Sequence, residues 1–324
     1  MSPVQVGGPF FDELKVGQVF DTAPGLTLTE GRAAQHQAIV GDRWRLALDD
    51  HLAREVAGGP LASPSLVTNA AIGQTTLVTQ RVRANLFYRR FALLRQPMIG
   101  DTLRTTTTVV GLRENARREG RAPTGLAALH MQTADQSGRP VVDFFRCAML
   151  PLREGAPPTG HADDLDAVGR DLPPVDPAAL VPDWERPAYL GGGVRGVVPE
   201  VGEVLEVATG DVVSSAPELA RLTLNVAAVH HDRFAGGGQR LVYGGHTIAL
   251  ATSQLLRALP DLATVLAWES CDHTGPVHEG DTLSTRFTVE RATTIRDWTV
   301  LDLRAEVTAD GEREVLDWRF SVLA

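Results

Sequence analysis

Apolar positions fall into the same order twice along this chain. In the first run, residues 30–40 place alanines and Ile39 on one side of a helix. Gly58-Gly59-Pro60 breaks the chain, and Pro64 suits the first turn of a second helix. That helix continues through Leu66, Val67, Ala70, Ala71 and Leu77, apolar on most faces, the pattern of a buried helix. Four extended segments follow at 85–94, 102–112, 125–133 and 140–152, rich in Val, Thr, Leu and Phe. Asp135-Gln136-Ser137-Gly138 reads as the hairpin turn between the last two. The second run has an apolar helix over 246–259, ended by Pro260, then strands expected at 264–272, 281–292, 298–308 and 312–323. Ala309-Asp310-Gly311 supplies its hairpin turn. Each run is a buried helix followed by antiparallel strands, an α+β arrangement.

Short identities hold the two runs in step. Gly100-Asp101-Thr102-Leu103 recurs as Gly280-Asp281-Thr282-Leu283, an offset of 180 residues. Val16-Gly17-Gln18-Val19 returns as Val201-Gly202-Glu203-Val204, an offset of 185. The segment around Asp42 corresponds to that around Asn225, and Ser63-Pro64-Ser65-Leu66-Val67 to Gly244-Gly245-His246-Thr247-Ile248. Four landmarks in one order argue for a duplicated domain. Residues 1–153 then form one unit and 200–324 the other. Between them, 154–199 holds Pro157-Pro158, Pro173-Pro174, Pro177, Pro182, Pro187 and Gly191-Gly192-Gly193 without any apolar period. It reads as a surface connector, with Trp184 and Tyr189 pinning it down.

Composition narrows the function classes. With 43% hydrophobic and 22% charged residues the chain is globular, and 324 residues suffice for two cores. A net charge of -9 excludes the basic face that nucleic acid requires. Cys147 and Cys271, one per unit, lack metal-ligand spacing and read as small buried strand residues. No apolar stretch approaches the roughly 18 residues of a membrane span, so a cytoplasmic location is the expectation.

A helix wrapped by an antiparallel sheet, with Pro276-Val277-His278-Glu279-Gly280-Asp281-Thr282-Leu283 leading into a long strand, resembles the hot-dog fold of the MaoC-like hydratases and dehydratases. Asn85-Leu86-Phe87-Tyr88 and the segment from Gln96 to Leu103 carry the same signature in the first unit. The resemblance covers nearly the whole chain apart from the connector. It implies a double hot dog: two antiparallel sheets, each wrapped around a central apolar helix, paired as a pseudo-dimer. Asn225-Val226-Ala227-Ala228-Val229-His230, Arg240 through His246, and Tyr88-Arg89-Arg90-Phe91 are most similar to the mesaconyl-CoA hydratases, also described as methylmalyl-CoA dehydratases. That likeness implies a hydro-lyase acting on an acyl-CoA, with no cofactor, no metal and no membrane partner, working as a homodimer of double hot-dog chains.

The hydratase motif of the family is Asp-x-Asn-Pro-x-His-x-Asp. Its Asp and His hold a water and move protons while backbone N–H groups polarise the thioester carbonyl. Here Asn225 stands at the Asp position, Ala227 replaces Asn, and His230-His231-Asp232 keeps His-x-Asp. The first unit has Asp42 but Trp44 and Ala47 in place of Asn and His, so one site per chain is expected, built around His230. A carboxamide at 225 can accept from a water and orient it, but takes no proton near neutral pH. His230 is then sole acid and base, or else a hydrogen-bonded structural histidine. Gly244 and Gly245 open a helix whose N-terminal amides the family uses as its oxyanion hole, although a tight turn alone would also ask for glycine. Two roles stay open for His246: reaching the thioester or a substrate carboxylate, or capping the helix. Arg240 and Arg233 are candidates for CoA phosphates or an acyl carboxylate, because a guanidinium binds two oxygens at once. The cluster Arg81, Arg83, Arg89, Arg90 and Arg95 reads first as a strand face. A hot-dog thioesterase and a non-catalytic acyl-CoA-binding module are the competing classes.

Overall fold

The computed structural model describes residues 6–193 and 197–324; residues 1–5 of the first unit and 194–196 of the connector lie outside the described residues. The first half opens with two short strands, β1 (Val19–Phe20) and β2 (Leu26–Thr27), then helices α1 (Glu30–Val40), α2 (Arg45–Leu48), α3 (Asp50–Ala57) and α4 (Pro64–Gln74). Strands β3 (Ala84–Leu93), β4 (Thr102–Glu114), β5 (Thr124–Ala134) and β6 (Pro140–Pro151) follow. The connector carries a 3-10 turn at Pro177–Leu180 and helix α5 (Arg186–Gly191), short elements that its prolines hide from any periodicity reading. The second half repeats the order with β7 (Val204–Glu206), β8 (Asp211–Val212), α6 (Ala216–Leu222), α7 (Gly244–Ala258), β9 (Thr264–Asp272), β10 (Thr282–Ile295), β11 (Trp298–Ala309) and β12 (Arg313–Leu323).

Two sheets were expected, and the structure joins them. The strand order is β1-β4-β5-β6-β3-β9-β12-β11-β10-β7, antiparallel throughout, with β2 on β4 and β8 on β10. The order is palindromic about the β3–β9 seam. There Phe87 pairs with Asp272, Tyr88 with Cys271 and Phe91 with Trp268. Rings of Phe91 and Trp268 stack at 4.2 Å across it. Each inner edge strand would present unpaired N–H and C=O groups alone; pairing them removes the exposure.

The repeated sequence landmarks have a common mechanical cause. Gly100 (φ 102°) and Gly280 (φ 95°) occupy a conformation that a side chain disfavours. The next residue's carboxylate folds back, Asp101 accepting from the Met98 N–H and Asp281 from the His278 N–H, each at 2.9 Å. Asp101 and Asp281 each also accept from an arginine, Arg95 and Arg313 respectively. The motif is thus a latch that starts β4 and β10.

The central helices differ at their N-termini. Ser63 caps α4, its hydroxyl accepting from the Ser65 and Leu66 N–H groups, with Pro64 in the first turn. Tyr243 precedes α7 and provides no side-chain cap. Both helices are buried along nearly their whole length in one core that spans the halves. Tyr189 of the connector is buried against Trp298 and donates to the Asp261 carbonyl, and Trp184 packs on the same cluster. Among the described residues no helix is long and apolar enough to cross a membrane.

The halves pack tightly at Gly73 of α4, where an added Cβ would fall well inside contact distance of the Thr223 carbonyl oxygen. Gly73→Ala is therefore expected to destabilise the protein by about 1–3 kcal/mol, the usual scale of overpacking. Gly191→Ala, where nothing lies within 4 Å of the new methyl, should be neutral or stabilising. Thermal denaturation of the two variants checks this, and equal melting temperatures would refute the contact.

Candidate active site

The loop after α6 is hung on the other half. Leu224 takes a left-handed conformation (φ 62°), which turns the chain back so that the Asn225 N–H donates to the Ala220 carbonyl at 2.8 Å. The Val226 N–H then donates to Thr76 Oγ1 at 2.9 Å, and the Ala228 N–H to the Gln80 carbonyl at 2.9 Å. Thr76 and Gln80 lie just beyond the C-terminal end of α4, so the first half fixes where the 3-10 turn Ala228–His230 sits.

A cavity of about 270 Å³ opens where the halves meet. The first half contributes Thr76, Thr79, Arg83, Asn85, Tyr88 and Arg146, and the second Asn225, His230, Tyr243, Gly244, Thr247 and His273. The rest of its wall is mostly apolar, and among the described residues no Asp or Glu lines it. A second, more apolar void of about 20 Å³ lies between α4 and α7. Its size suits about one water and it brings no acid–base group, so the chemistry belongs to the larger cavity.

His230 is 8% exposed. Its Nδ1 lies 2.8 Å from the Leu241 carbonyl oxygen, which can only accept, so Nδ1 carries the proton and donates. Among the described residues Nε2 has no hydrogen-bond partner. Burial lowers the pKa of His230 to about 4, with the neighbouring charges of His231 and Arg146 acting in the same direction. The imidazole is neutral at physiological pH, with a free lone pair.

Asn225 qualifies one expectation. Its Oδ1 already accepts from the Ala227 N–H at 3.0 Å, which uses one of its two lone pairs. Nδ2 is left buried without a partner, so Asn225 offers the cavity a donor.

Of the two glycines, only Gly244 lines the cavity. A Cβ there would come within 2.7 Å of His273 Nε2. Gly245 instead borders the small void between the helices, where Asn69 and the Tyr243 ring leave no room for a side chain. His246 is fully buried, with both ring nitrogens unpartnered, and does not line the cavity. Arg240 is held in an ion pair with Glu279, and Arg233 is exposed over its neighbour Phe234. Neither arginine reaches the cavity. Of the first unit's cluster, Arg83 lines the cavity and donates to the Ala235 carbonyl, whereas Arg89 pairs with Asp272 and Arg95 with Asp101 and Asp135.

Three lining residues were not anticipated in these roles: Arg146, Tyr88 and His273. The signal for Arg146 was its parity, because Val142, Phe144, Ala148 and Leu150 on the same face of β6 all belong to the core. In the first half, the counterpart of this cavity is lined by Asp42, Trp44, Ala47 and Ser63, and no histidine lines it. Asp42 accepts there from the Ser63 hydroxyl and the Trp44 N–H. Among the described residues no group of three or more His, Cys, Asp or Glu is arranged to hold a metal.

Two hot-dog halves sharing one sheet, with the neutral imidazoles of His230 and His273 in the cavity at their junction, make this a double hot-dog protein. No family model matches the chain. It is 31% identical over 297 residues to the beta-methylmalyl-CoA dehydratase of Chloroflexus aurantiacus, covering 85% of this chain and 80% of that one. It is 29% identical over 287 residues to the mesaconyl-CoA hydratase of Cereibacter sphaeroides, covering 85% and 81%. A solved double hot-dog protein of Mycobacterium tuberculosis, described as a conserved hypothetical protein essential for bacterial survival during infection, is 54% identical with a TM-score of 0.90 over 99% of each chain. The chain belongs to the MaoC-like hydratase and dehydratase family, and is an enzyme of the hydro-lyase type.

Acid should unfold this protein early. His36, His230, His246 and His273 all have pKa values lowered by burial, to about 3 for His36 and about 4 for the other three. Unfolding returns them to about 6.5, so below that pH the unfolded chain binds protons that the folded chain refuses. Asp42, raised by burial to about 6, acts oppositely but is one group against four. The melting temperature is expected to be flat from pH 8 to 6.5 and to fall steadily toward pH 4. A rise over that interval would contradict the buried neutral histidines.

Proposed function

We propose that this chain catalyses reversible hydration and dehydration of a short enoyl-CoA, branched or dicarboxylic, of the mesaconyl-CoA kind. The observation that carries this reading is the tautomer of His230. With Nδ1–H committed to Leu241, the free Nε2 is a base beside a helix start whose amides have no side-chain cap. In hydration, Nε2 takes a proton from water as the water oxygen bonds to C3. The alkene electrons move to the thioester oxygen, and the enolate is stabilised by amide N–H groups at the Gly244 end of α7. Asn225 Nδ2 donates to a lone pair of the water and so sets its orientation. The proton on Nε2 then passes to C2. One group removes and returns the proton, so hydrogen and hydroxyl add to the same face. Names of the relatives supply the acyl-CoA class, and the apolar walls suit a short chain.

Thioester hydrolysis is the competing reaction of this fold. It calls for a carboxylate to activate water, and none lines the cavity. Asp42 is committed to Ser63 and Trp44 in the other half.

Mesaconyl-CoA is expected to lose its conjugated thioester absorbance without release of free thiol. His230→Ala should slow this at least about a hundredfold, the usual scale for one acid–base group. Asn225→Ala should slow it less, since its amide positions water without exchanging protons. Free CoA appearing at the rate of substrate loss would sink the hydratase reading. So would near-normal activity in His230→Ala.

The pH dependence follows from the same histidine. Hydration needs Nε2 unprotonated, and a base lowered to about 4 stays so throughout the neutral range. Initial-rate kcat/KM for hydration should be level from pH 8 to about 5.5 and fall only as the solution approaches pH 4. A midpoint near the ordinary histidine value of about 6.5 would show that His230 is not the base.

A further inference from the structure

Arg146 is a buried cation without an anion. It is 4% exposed, in the middle of β6, and lines the same cavity as His230. Among the described residues no carboxylate forms an ion pair with it. Its Nη2 donates to Thr79 Oγ1 at 2.6 Å and toward the Thr75 carbonyl at 3.5 Å, both neutral oxygens. Nε is buried with no partner at all. A guanidinium keeps its proton in any protein environment, and a buried charge is strongly disfavoured unless something of opposite sign meets it. The cavity supplies no Asp or Glu for that purpose, and the phenol of Tyr88 beside it is held neutral by burial.

We infer that Arg146 is the specificity-determining residue of this site, binding a free carboxylate carried by the acyl group at or next to C3. The fork of a guanidinium matches the two oxygens of a carboxylate, and its Nε has no partner within the protein among the described residues. Thr79 orients the group by holding Nη2. In this arrangement the thioester lies toward the Gly244 end of α7 and the carboxylate toward β6, with the carbon that receives water beside His230. Neutralising a carboxylate next to that carbon also removes the repulsion it would exert on an incoming hydroxide-like oxygen. The inference deepens the hydratase reading and uses its substrates, yet binding alone can test it.

The experiment compares mesaconyl-CoA with tiglyl-CoA, in which a methyl replaces the carboxylate. Wild type should favour mesaconyl-CoA in kcat/KM. In Arg146→Met the ratio of the two values should fall by about a hundredfold, the scale of two charge-assisted hydrogen bonds. Thr79→Val, which keeps the guanidinium but frees it, should lower the ratio less, mainly through KM for mesaconyl-CoA. It also serves if Arg146→Met does not fold. Equal losses on both substrates would place Arg146 at the thioester or in the scaffold and overturn the inference, as would a wild type indifferent to the carboxylate. The saturated thioesters methylsuccinyl-CoA and 2-methylbutyryl-CoA, compared by calorimetry on wild type, separate the two proposals. Tighter binding of the first without turnover of any enoyl-CoA would keep Arg146 and reject the hydratase reading. Turnover without any preference would do the reverse.

Discussion

The structure depends on the seam between β3 and β9. Each half has a central helix too apolar to stand in water and a sheet with one open inner edge. Joining the edges hydrogen-bonds both at once and brings α4 and α7 into one core. The loop that carries Asn225 and His230 is then positioned by what the first half offers it: Thr76 Oγ1, the Gln80 carbonyl and the surface of Gly73. The cavity has no existence in either half alone, because its walls come from both.

Pseudo-symmetry makes the divergence of the halves interpretable. The same backbone position begins α4 and α7. In α4, Ser63 satisfies the free amides and is itself bound to Asp42. In α7 the residue at that position is Tyr243, which gives no side-chain cap; the His246 N–H donates to the Tyr243 carbonyl, and Gly244 of the first turn lines the cavity. A side-chain cap is worth about 0.5–2 kcal/mol to a helix. The first half keeps that stabilisation and lets Trp44 take the place of smaller motif residues. In the second half the side-chain cap is absent, which leaves the Gly244 end of the helix facing the cavity. Local stability and available chemistry are thus alternative uses of one set of N–H groups.

Much of the fold was legible because its causes are local. The Gly-Asp latches, the hairpin turns and the apolar helices each rest on residues a few positions apart. His230, Asn225 and Gly244 were legible through their motif, and all three line the cavity. What remained hidden depended on partners distant in sequence. Arg240 and Arg233 have the right chemistry for an anion, but Glu279, far along the chain, already holds Arg240. Residue type said what Asn225 can do, whereas the turn through Ala227 decided which of its atoms is left without a partner. Gly245 looked like a second oxyanion contact, and its true constraint is Asn69 of the other half. Arg146 lies 84 residues before His230 in a different copy, and only its break in the apolar parity of β6 marked it.

The replacement of Asp by Asn at position 225 gains a physical sense from this setting. In a poorly solvated cavity, charges act over longer distances than in water. A carboxylate at 225 would share the enclosure with the Arg146 guanidinium and would tend to satisfy it internally. It would also repel an anionic acyl group entering the same space. The carboxamide keeps the donor needed to orient water and removes that competition. The cavity is left with the exposed Arg83 at its edge, the buried Arg146, two neutral imidazoles in His230 and His273, and no Asp or Glu among its lining residues, so its unmet electrostatic demand is for a negative charge brought by the ligand. On this account the departure at 225 and the unpaired arginine on β6 are two sides of one arrangement, which links the loss of a motif residue to selection of substrate rather than to decay of the site.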